Sequence, residues 1–312
     1  MFPYTLDKIY CDADLPAEGH LLVYLTRVRL GPMLDCRWHV VLSRRGAAPR
    51  QEIRVTRSLG LPARTRFATS DGQFECVGRD AALRLDGDRA SVHLHYHNDH
   101  DLVPDGEFAV GAAGRRRVIW TPLMVRARVA GSATVHGHTV SIDRTVGYVD
   151  HVRSTLYPWR VPIRRLFWGR SYHDRLALTY TIAQLATGTT TALLVAEGAE
   201  RSLRFTDVEL EPIAWQAAGN GSEPDLESYS IRARGDGAEL VLTVQHESLA
   251  VASDFIDDAG PLHPFSRWAL EWISLRPRGT KHFASARLAL SGAGQTELSS
   301  TGPAFVEQVR IG

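Results

Sequence analysis

An acidic and a basic residue stand side by side at Asp150 and His151, shortly after Tyr148. Successive side chains of a strand point to opposite faces, so Tyr148 and Asp150 are expected on one face and His151 on the other. A carboxyl group that faces an apolar space resists ionisation, because desolvation disfavours the anion. Such a group can protonate an alkene, with a hydrogen bond from Tyr148 and with the π faces of Trp120 and Trp168 stabilising a cation. We therefore predict Asp150, Tyr148 and His151 as catalytic residues, with a structural Asp–His pair as the alternative.

These residues belong to a longer motif between residues 117 and 170. Its parts are Trp-x-Pro from Trp120, Gly-Tyr-x-Asp-His from Gly147, and Trp-Gly-Arg from Trp168. This order resembles the lipocalin-like family that includes bacterial carotenoid 1,2-hydratases, AttH-type proteins and fungal decalin-forming Diels–Alderases. The resemblance implies a tandem lipocalin-like fold. In the hydratases, an acid at the position of Asp150 is expected to protonate the polyene.

The chain departs from the family directly after the Asp-His pair. The family continues with Asn-Trp-Gly or Glu-Trp-Gly, whereas this chain has Val152-Arg153-Ser154. Since the departure falls in the part of the motif that would handle water, we rank cyclisation above hydration.

Four residues are predicted to bind the substrate: Trp120, Trp168, Arg153 and Glu307. Arg153 belongs to a group of arginines that could hold a carboxylate, tetronate or tetramate oxygen, although salt bridges that link domains are the alternative. Glu307 lies in the C-terminal stretch 302–310, which resembles the Gly-x-x-x-Glu ending of the family.

Three histidines alternate at His93, His95 and His97, so a strand would place them on one face, as metal ligands could be placed. Alternating histidines also form ordinary polar outer faces, and the resembled family calls for no metal. We therefore predict no metal site and no cofactor. The sequence contains no P-loop, dinucleotide fingerprint or Gly-x-Ser-x-Gly motif.

Composition excludes several classes of protein. The net charge of +1 gives no field that would favour nucleic acid. The cations are almost all arginine, and Lys8 and Lys281 are the two lysines of the chain. The three cysteines fit neither a disulfide framework nor a metal site, which favours a reducing, cytoplasmic compartment. The first eight residues include an acid and a base and no apolar h-region, so we expect no signal peptide. No apolar run is long enough to span a bilayer, so stable membrane insertion is not expected.

Short alternating runs separated by Asp-Gly and Gly turns occur in both halves of the chain, as in antiparallel β proteins. We predict an all-β fold of two tandem lipocalin-like (calycin-type) barrel or sandwich domains, residues 1–164 and 165–312. The segment Thr155 to Arg165 is the predicted linker because of its prolines. Aromatic and aliphatic residues at helical spacing predict one short helix from Phe265 to Ile273 near the C-terminus.

An apolar cavity lined by aromatic residues, near the junction of the domains, would suit a poorly soluble small molecule. The leading hypothesis is a cofactor-independent cyclase, Diels–Alderase-like or proton-initiated, acting on a polyene, polyketide or terpenoid intermediate in secondary metabolism such as antibiotic biosynthesis. A hydratase that adds water to a polyene alkene is the second hypothesis, and a non-catalytic lipid or pigment carrier is the third. The substrate and the oligomeric state stay open.

Overall fold

The structure is a computed structural model that describes residues 3–15, 19–60, 65–98, 107–112, 116–157, 160–198, 202–216, 224–254, 278–292 and 297–311. Within these residues the regular secondary structure is entirely β, which confirms the predicted all-β class. The helix predicted at 265–273 lies outside the described residues. No described residue belongs to a helix of the length and apolar character that a bilayer crossing requires.

The described strands of the first half form one antiparallel sheet of eleven strands. They are β1 (Tyr4–Leu15), β2 (Gly19–Leu30), β3 (Met33–Arg44), β4 (Arg50–Val55), β5 (Arg66–Thr69), β6 (Gly72–Val77), β7 (Asp80–Leu85), β8 (Ala90–Asn98), β9 (Phe108–Ala112), β10 (Arg116–Val135) and β11 (His138–Ser154). The order is β4-β3-β2-β1-β11-β10-β8-β7-β6-β5, and β9 pairs with β10. The first strand therefore pairs with the last, β11, which carries the Asp-His motif.

The described strands of the second half form a nine-stranded antiparallel sheet in the order β15-β14-β13-β12-β20-β19-β18-β17-β16. The strands are β12 (Ile163–His173), β13 (Leu176–Leu185), β14 (Thr190–Gly198), β15 (Ser202–Phe205), β16 (Asp207–Trp215), β17 (Leu226–Gly235), β18 (Ala238–Asp254), β19 (Arg278–Gly292) and β20 (Leu298–Arg310). Here too the first strand, β12, pairs with the last, β20.

Each sheet curls around an apolar core of its own. The core of the first sheet includes Ile9, Val23, Trp38 and Val149, and that of the second includes Phe167, Tyr180 and Val306. These residues alternate with others that point to the opposite face, as the pleat requires. The two curled sheets confirm the lipocalin-like architecture that the motif predicted.

By contacts, the chain divides into two compact units, and the described residues change unit between Val161 and Pro162. The boundary between residues 164 and 165, as a limit of independently folding domains, stays a prediction. The predicted linker is partly wrong, because β12 begins at Ile163 and its residues from Arg165 onward pair with strands on both sides. The prolines it relied on precede this strand and do not interrupt it.

Candidate functional site

In the first unit, the sheet face opposite the core carries polar and aromatic side chains that are nevertheless largely buried. We call it the polar-aromatic face, and its members are Lys8, Tyr10, Asp12, His20, Tyr24, Trp120, Tyr148 and Asp150. Their face follows from register: Tyr10 pairs with Asp150, and Asp12 pairs with Tyr148. None of these residues belongs to the apolar core, so the burial of this second face is not explained by packing of the core.

Asp150 is held by an indole. Trp120 Nε1 donates a hydrogen bond to Asp150 Oδ2 at 2.7 Å, and both side chains are buried. The two residues lie on neighbouring strands, because Trp120 of β10 pairs with Val152 of β11. A hydrogen bond of this length between buried groups fixes the orientation of the carboxyl group.

The motif proline stands at an irregularity in the pairing of β10 with β11. Pro122 pairs with Asp150 on one side of β10. On the other side, the described pairing with β9 extends to Trp120 and the pairing with β8 begins at Ala127. The register of β10 against β11 shifts between Pro122 and Met124, and proline, which has no N–H to donate, is tolerated at such an irregularity.

The motif glycines make room for neighbouring atoms. A Cβ on Gly147 would lie 2.3 Å from the main-chain oxygen of Asp12, and one on Gly169 would lie 2.3 Å from the hydroxyl of Tyr180. Both distances are far inside van der Waals contact, so no larger residue fits without displacing a strand or a buried ring. The glycine before Tyr148 thus lets β1 and β11 approach closely.

Tyr148 and Asp150 share one face, and His151 points to the core side, as strand alternation predicts. Tyr148 lies with its ring centroid 5.9 Å from that of Tyr10, which in turn is 5.2 Å from Tyr24. The buried His151 has its Nε2 3.5 Å from Asp7 Oδ1. The structure therefore separates the two halves of the Asp-His pair.

Arg153 also lies on the side of His151, since it pairs with Asp7 on β1. Its side chain is 43% exposed and approaches Glu107 at 3.7 Å. This position is apart from Asp150 and Trp120. A contact between Arg153 and a substrate stays a prediction.

In the second unit, the face opposite the core holds the other two predicted residues. Trp168, Glu307 and Lys281 form one row across β12, β20 and β19. Lys281 Nζ contacts Glu307 Oε2 at 2.5 Å and lies 5.2 Å from the Trp168 ring centroid. The buried Arg170 lies on the same face, with its guanidinium 4.6 Å from the ring of Tyr172. This face combines buried charges with aromatic rings.

Sequence reasoning missed Tyr10, Asp12, His20 and Lys281. The lysines carried a signal: in a chain whose cations are almost all arginine, both occur on these faces. Lys8 lies 4.5 Å from the Tyr24 ring centroid, and Lys281 lies against Trp168. The lysine ammonium is a compact point charge, whereas the arginine guanidinium is planar and stacks on rings, so the two are not interchangeable over an aromatic ring.

The core of the second unit contains polar groups at its β17–β20 side. The rings of His246 and His282 stack at 4.3 Å, and the Tyr180 and Tyr229 hydroxyls meet at 2.5 Å. Burial, followed by the neighbouring His282, lowers the pKa of His246 to about 3, and burial also lowers the pKa of His282. Burial raises the pKa of both tyrosines. These groups are neutral near pH 7.

The predicted histidine face is exposed. His93 Nε2 contacts Asp86 at 2.7 Å and His97 Nδ1 contacts Asp80 at 2.8 Å, while His95 lies 3.7 Å from Asp80. Each of the three histidines therefore has a neighbouring carboxylate on the exposed face, as expected for an ordinary polar surface. Among the described residues, no three His, Cys, Asp or Glu side chains are grouped as metal ligands would be. That the protein binds no metal stays a prediction.

A small pocket in the first unit lies away from Asp150. It is lined by Trp38, Val40, Glu52, Arg54, Leu85, Arg89 and Ala90. Several of these residues belong to the core, so the pocket opens on the core side of the sheet. The expectation that Asp150, Tyr148, Trp120 and Trp168 line a cavity stays a prediction.

Comparison with solved structures identifies proteins of the same fold. The chain is similar to an AttH-like protein of Nitrosomonas europaea (TM-score 0.65, 13% identity, 98% of this chain and 92% of that chain). It is similar to CghA with Sch210972 (TM-score 0.69, 11% identity, 99% and 89%). It is also similar to kievitone hydratase of Nectria haematococca (TM-score 0.58, 13% identity, 99% and 89%). The resemblance inferred from the motif is confirmed at the level of the fold.

No protein-family profile matches the chain, and no curated protein matches it in sequence. The likeness is therefore one of fold, and the fold is one that a hydratase uses.

Proposed function

We propose that the chain is a cofactor-independent cyclase of the proton-initiated kind, acting on an apolar polyene or terpenoid, with Asp150 as the proton donor. The observation that carries the proposal is the buried 2.7 Å hydrogen bond from Trp120 Nε1 to Asp150 Oδ2, on a face that does not belong to the core. A buried carboxyl group is costly, and proteins keep such groups in positions where they do chemistry.

The hydrogen bond decides which oxygen carries the proton. The indole N–H is a donor only, so Asp150 Oδ2 accepts, and because a carbonyl oxygen accepts better than a hydroxyl oxygen, the proposal places the proton of the acid form on Oδ1. In the proposed step the Oδ1–H bond breaks, and the proton forms a C–H bond with the π electrons of the substrate alkene. The positive charge left on the neighbouring carbon is attacked by a second alkene of the substrate, which closes the ring.

Aromatic rings would stabilise that charge. On the polar-aromatic face, Trp120 donates to Asp150 and Tyr10 is its cross-strand partner. The rings of Tyr148 and Tyr24 pack beside that of Tyr10. A ring face attracts a cation by about 0.5–2 kcal/mol, more when water is excluded. The same apolar surroundings would hold a hydrocarbon substrate in one conformer, which itself lowers the barrier.

A hydratase is the second candidate, favoured by the fold shared with kievitone hydratase. It would use the same protonation by Asp150, after which water rather than an alkene attacks the cation. The two candidates differ in the product, not in the first step.

The experiment compares Asp150→Asn with Asp7→Asn on a panel of polyenes and terpenoids. Asp7 is a matched control, because it lies on the same sheet but on the opposite face, beside His151. Asparagine can still accept the hydrogen bond from Trp120, so both variants should fold, as circular dichroism would check. We expect Asp150→Asn to lose about a hundredfold or more in kcat and Asp7→Asn to retain activity.

Full activity of Asp150→Asn would refute proton donation and leave conformer selection, as in a pericyclic cyclase. Tight binding of the panel without turnover by the wild type would show a carrier.

A further inference from the structure

The polar-aromatic face contains a second set of groups, which begins at the β1–β2 turn. Asp14 and His20 are cross-strand partners, and His20 Nδ1 lies 2.9 Å from Asp14 Oδ1. On the other side of the ring, His20 Nε2 lies 3.4 Å from Asp12 Oδ2. The Tyr10 hydroxyl donates to the same Asp12 oxygen at 2.8 Å. Asp14, His20, Asp12 and Tyr10 thus form one connected row, which we call the β1–β2 chain.

The exposure of these groups falls along the row. The side chain of Asp14 is 35% exposed, that of His20 is 1% exposed and that of Asp12 is fully buried. The row therefore leads from solvent into the polar-aromatic face. Its inner end, Tyr10, is the cross-strand partner of Asp150.

The cost of this arrangement argues against a purely structural role. Asp12 accepts hydrogen bonds from the Tyr10 hydroxyl and from the main-chain N–H of Tyr148 at 2.9 Å, and its Oδ2 lies 3.4 Å from His20 Nε2. Such a network keeps a buried carboxylate tolerable, but apolar residues of similar volume would stabilise the same position at least as well. On β3 the cross-strand neighbour of His20 is the buried Ser43, and the two carboxyl groups that the structure places at the ring, those of Asp12 and Asp14, come from β1.

We propose that the β1–β2 chain transfers protons between solvent and the polar-aromatic face, with Tyr10 as the group that contacts the substrate. The inference rests on the proposed function, because a proton-initiated reaction must also release a proton. A cyclisation releases it from carbon beside the final cation, and a hydration releases it from the attacking water.

The transfer balances as follows. Tyr10 Oη takes the proton that the substrate releases, while its own O–H proton passes to Asp12 Oδ2. Asp12 passes a proton to His20 Nε2, and the proton on His20 Nδ1 moves to Asp14 and then to water. In this direction one proton enters at Tyr10 and one leaves to water. Return of one proton from water along the same row, from Asp14 to Tyr10 and on to its cross-strand partner Asp150, restores the Nδ1–H tautomer of His20 and the acid form of Asp150. The step requires the His20 tautomer protonated at Nδ1, which the 2.9 Å contact to Asp14 favours.

The first test needs no substrate. In protein labelled with ¹⁵N-histidine, NMR measures how fast the His20 ring N–H exchanges with water. Proton transfer along the β1–β2 chain predicts rapid exchange of the His20 ring N–H despite the burial of the ring, and slow exchange in Asp14→Asn. Asp35→Asn is the matched control, because Asp35 is 34% exposed and ion-paired with Arg37 at 2.6 Å on the same sheet. A ring N–H that is protected in the wild type, or equal exchange in the two variants, would overturn the proposal.

The second test uses turnover. His20→Gln should lower kcat by about tenfold or more with KM unchanged, and added imidazole should restore part of the rate. Asp14→Asn, which alters only the exposed end, should show the same pattern if His20→Gln does not fold. If the wild type turns over substrate and both His20→Gln and Asp14→Asn keep its full kcat, proton transfer along the β1–β2 chain is refuted. Absence of wild-type turnover would count against the proposed function instead, since the exchange measurement tests the chain separately.

Discussion

At Asp150, the indole N–H of Trp120 donates to Oδ2 and orients the carboxyl group. In the proposed reaction, the acid form presents its proton from Oδ1. The direction of that proton matters, because small misplacements of a reacting group are costly in rate. The proposal therefore makes Trp120 a positioning residue for Asp150.

Replacing Trp120 by Phe tests this role. The change keeps an aromatic ring but removes the donor, so we expect kcat to fall by about ten- to a hundredfold. Trp38→Phe is the matched control: Trp38 is buried in the core and donates to Thr69 Oγ1 at 2.9 Å. The control should lose about 1–3 kcal/mol of unfolding free energy but retain kcat. If Trp120→Phe lost stability alone, the bond to Asp150 would be structural.

At the scale of strands, the sequence predicted those with one apolar and one polar, exposed face. β7 and β8 alternate clearly between buried and exposed residues, and their bounds nearly match the runs Ala81 to Leu85 and Ala90 to His97. β1 was not predicted, although its core residues Ile9, Cys11 and Ala13 alternate with Tyr10, Asp12 and Asp14. These three residues of the second face, together with His20, form the proposed β1–β2 chain.

Strands β18 and β19 make the second unit sensitive to acid. The pKa of His246 is lowered from 6.5 to about 3 by burial and by His282. Below pH 6.5 the unfolded chain binds a proton that the folded chain excludes, so stability falls as the pH decreases from 6.5 towards 3. By pH 5 the loss for His246 alone is about 2 kcal/mol.

His246→Phe should remove part of this dependence while keeping a ring edge-on to Tyr229. We expect the urea midpoint to change less between pH 7 and pH 5 in this variant than in the wild type. His97→Phe, at an exposed position, should leave the pH dependence of His246 intact. Equal slopes in His246→Phe and the wild type would show that His246 does not control it.

At the scale of the whole chain, the motif between residues 117 and 170, together with the alternating β pattern, was sufficient to predict the fold. Gly147 and Gly169 are required because a Cβ would collide with neighbouring atoms, and Pro122 stands at a register shift of β10 where its missing N–H is tolerated. The site was only partly predictable. Asp150, Tyr148 and Trp120 lie within one motif, whereas Asp12 and His20 approach them through the pairing of β1 with β11, between residues far apart in the chain. No local pattern encodes that pairing.

Donation of a proton from Asp150 to carbon is tested most directly by converting a substrate from the polyene and terpenoid panel in D₂O. Mass spectrometry then measures the deuterium bound to carbon in the product. The account predicts one deuterium at a non-exchangeable carbon of the wild-type product, and loss of product formation in Asp150→Asn. Wild-type product without carbon-bound deuterium, formed as fast as in H₂O, would contradict proton donation by Asp150.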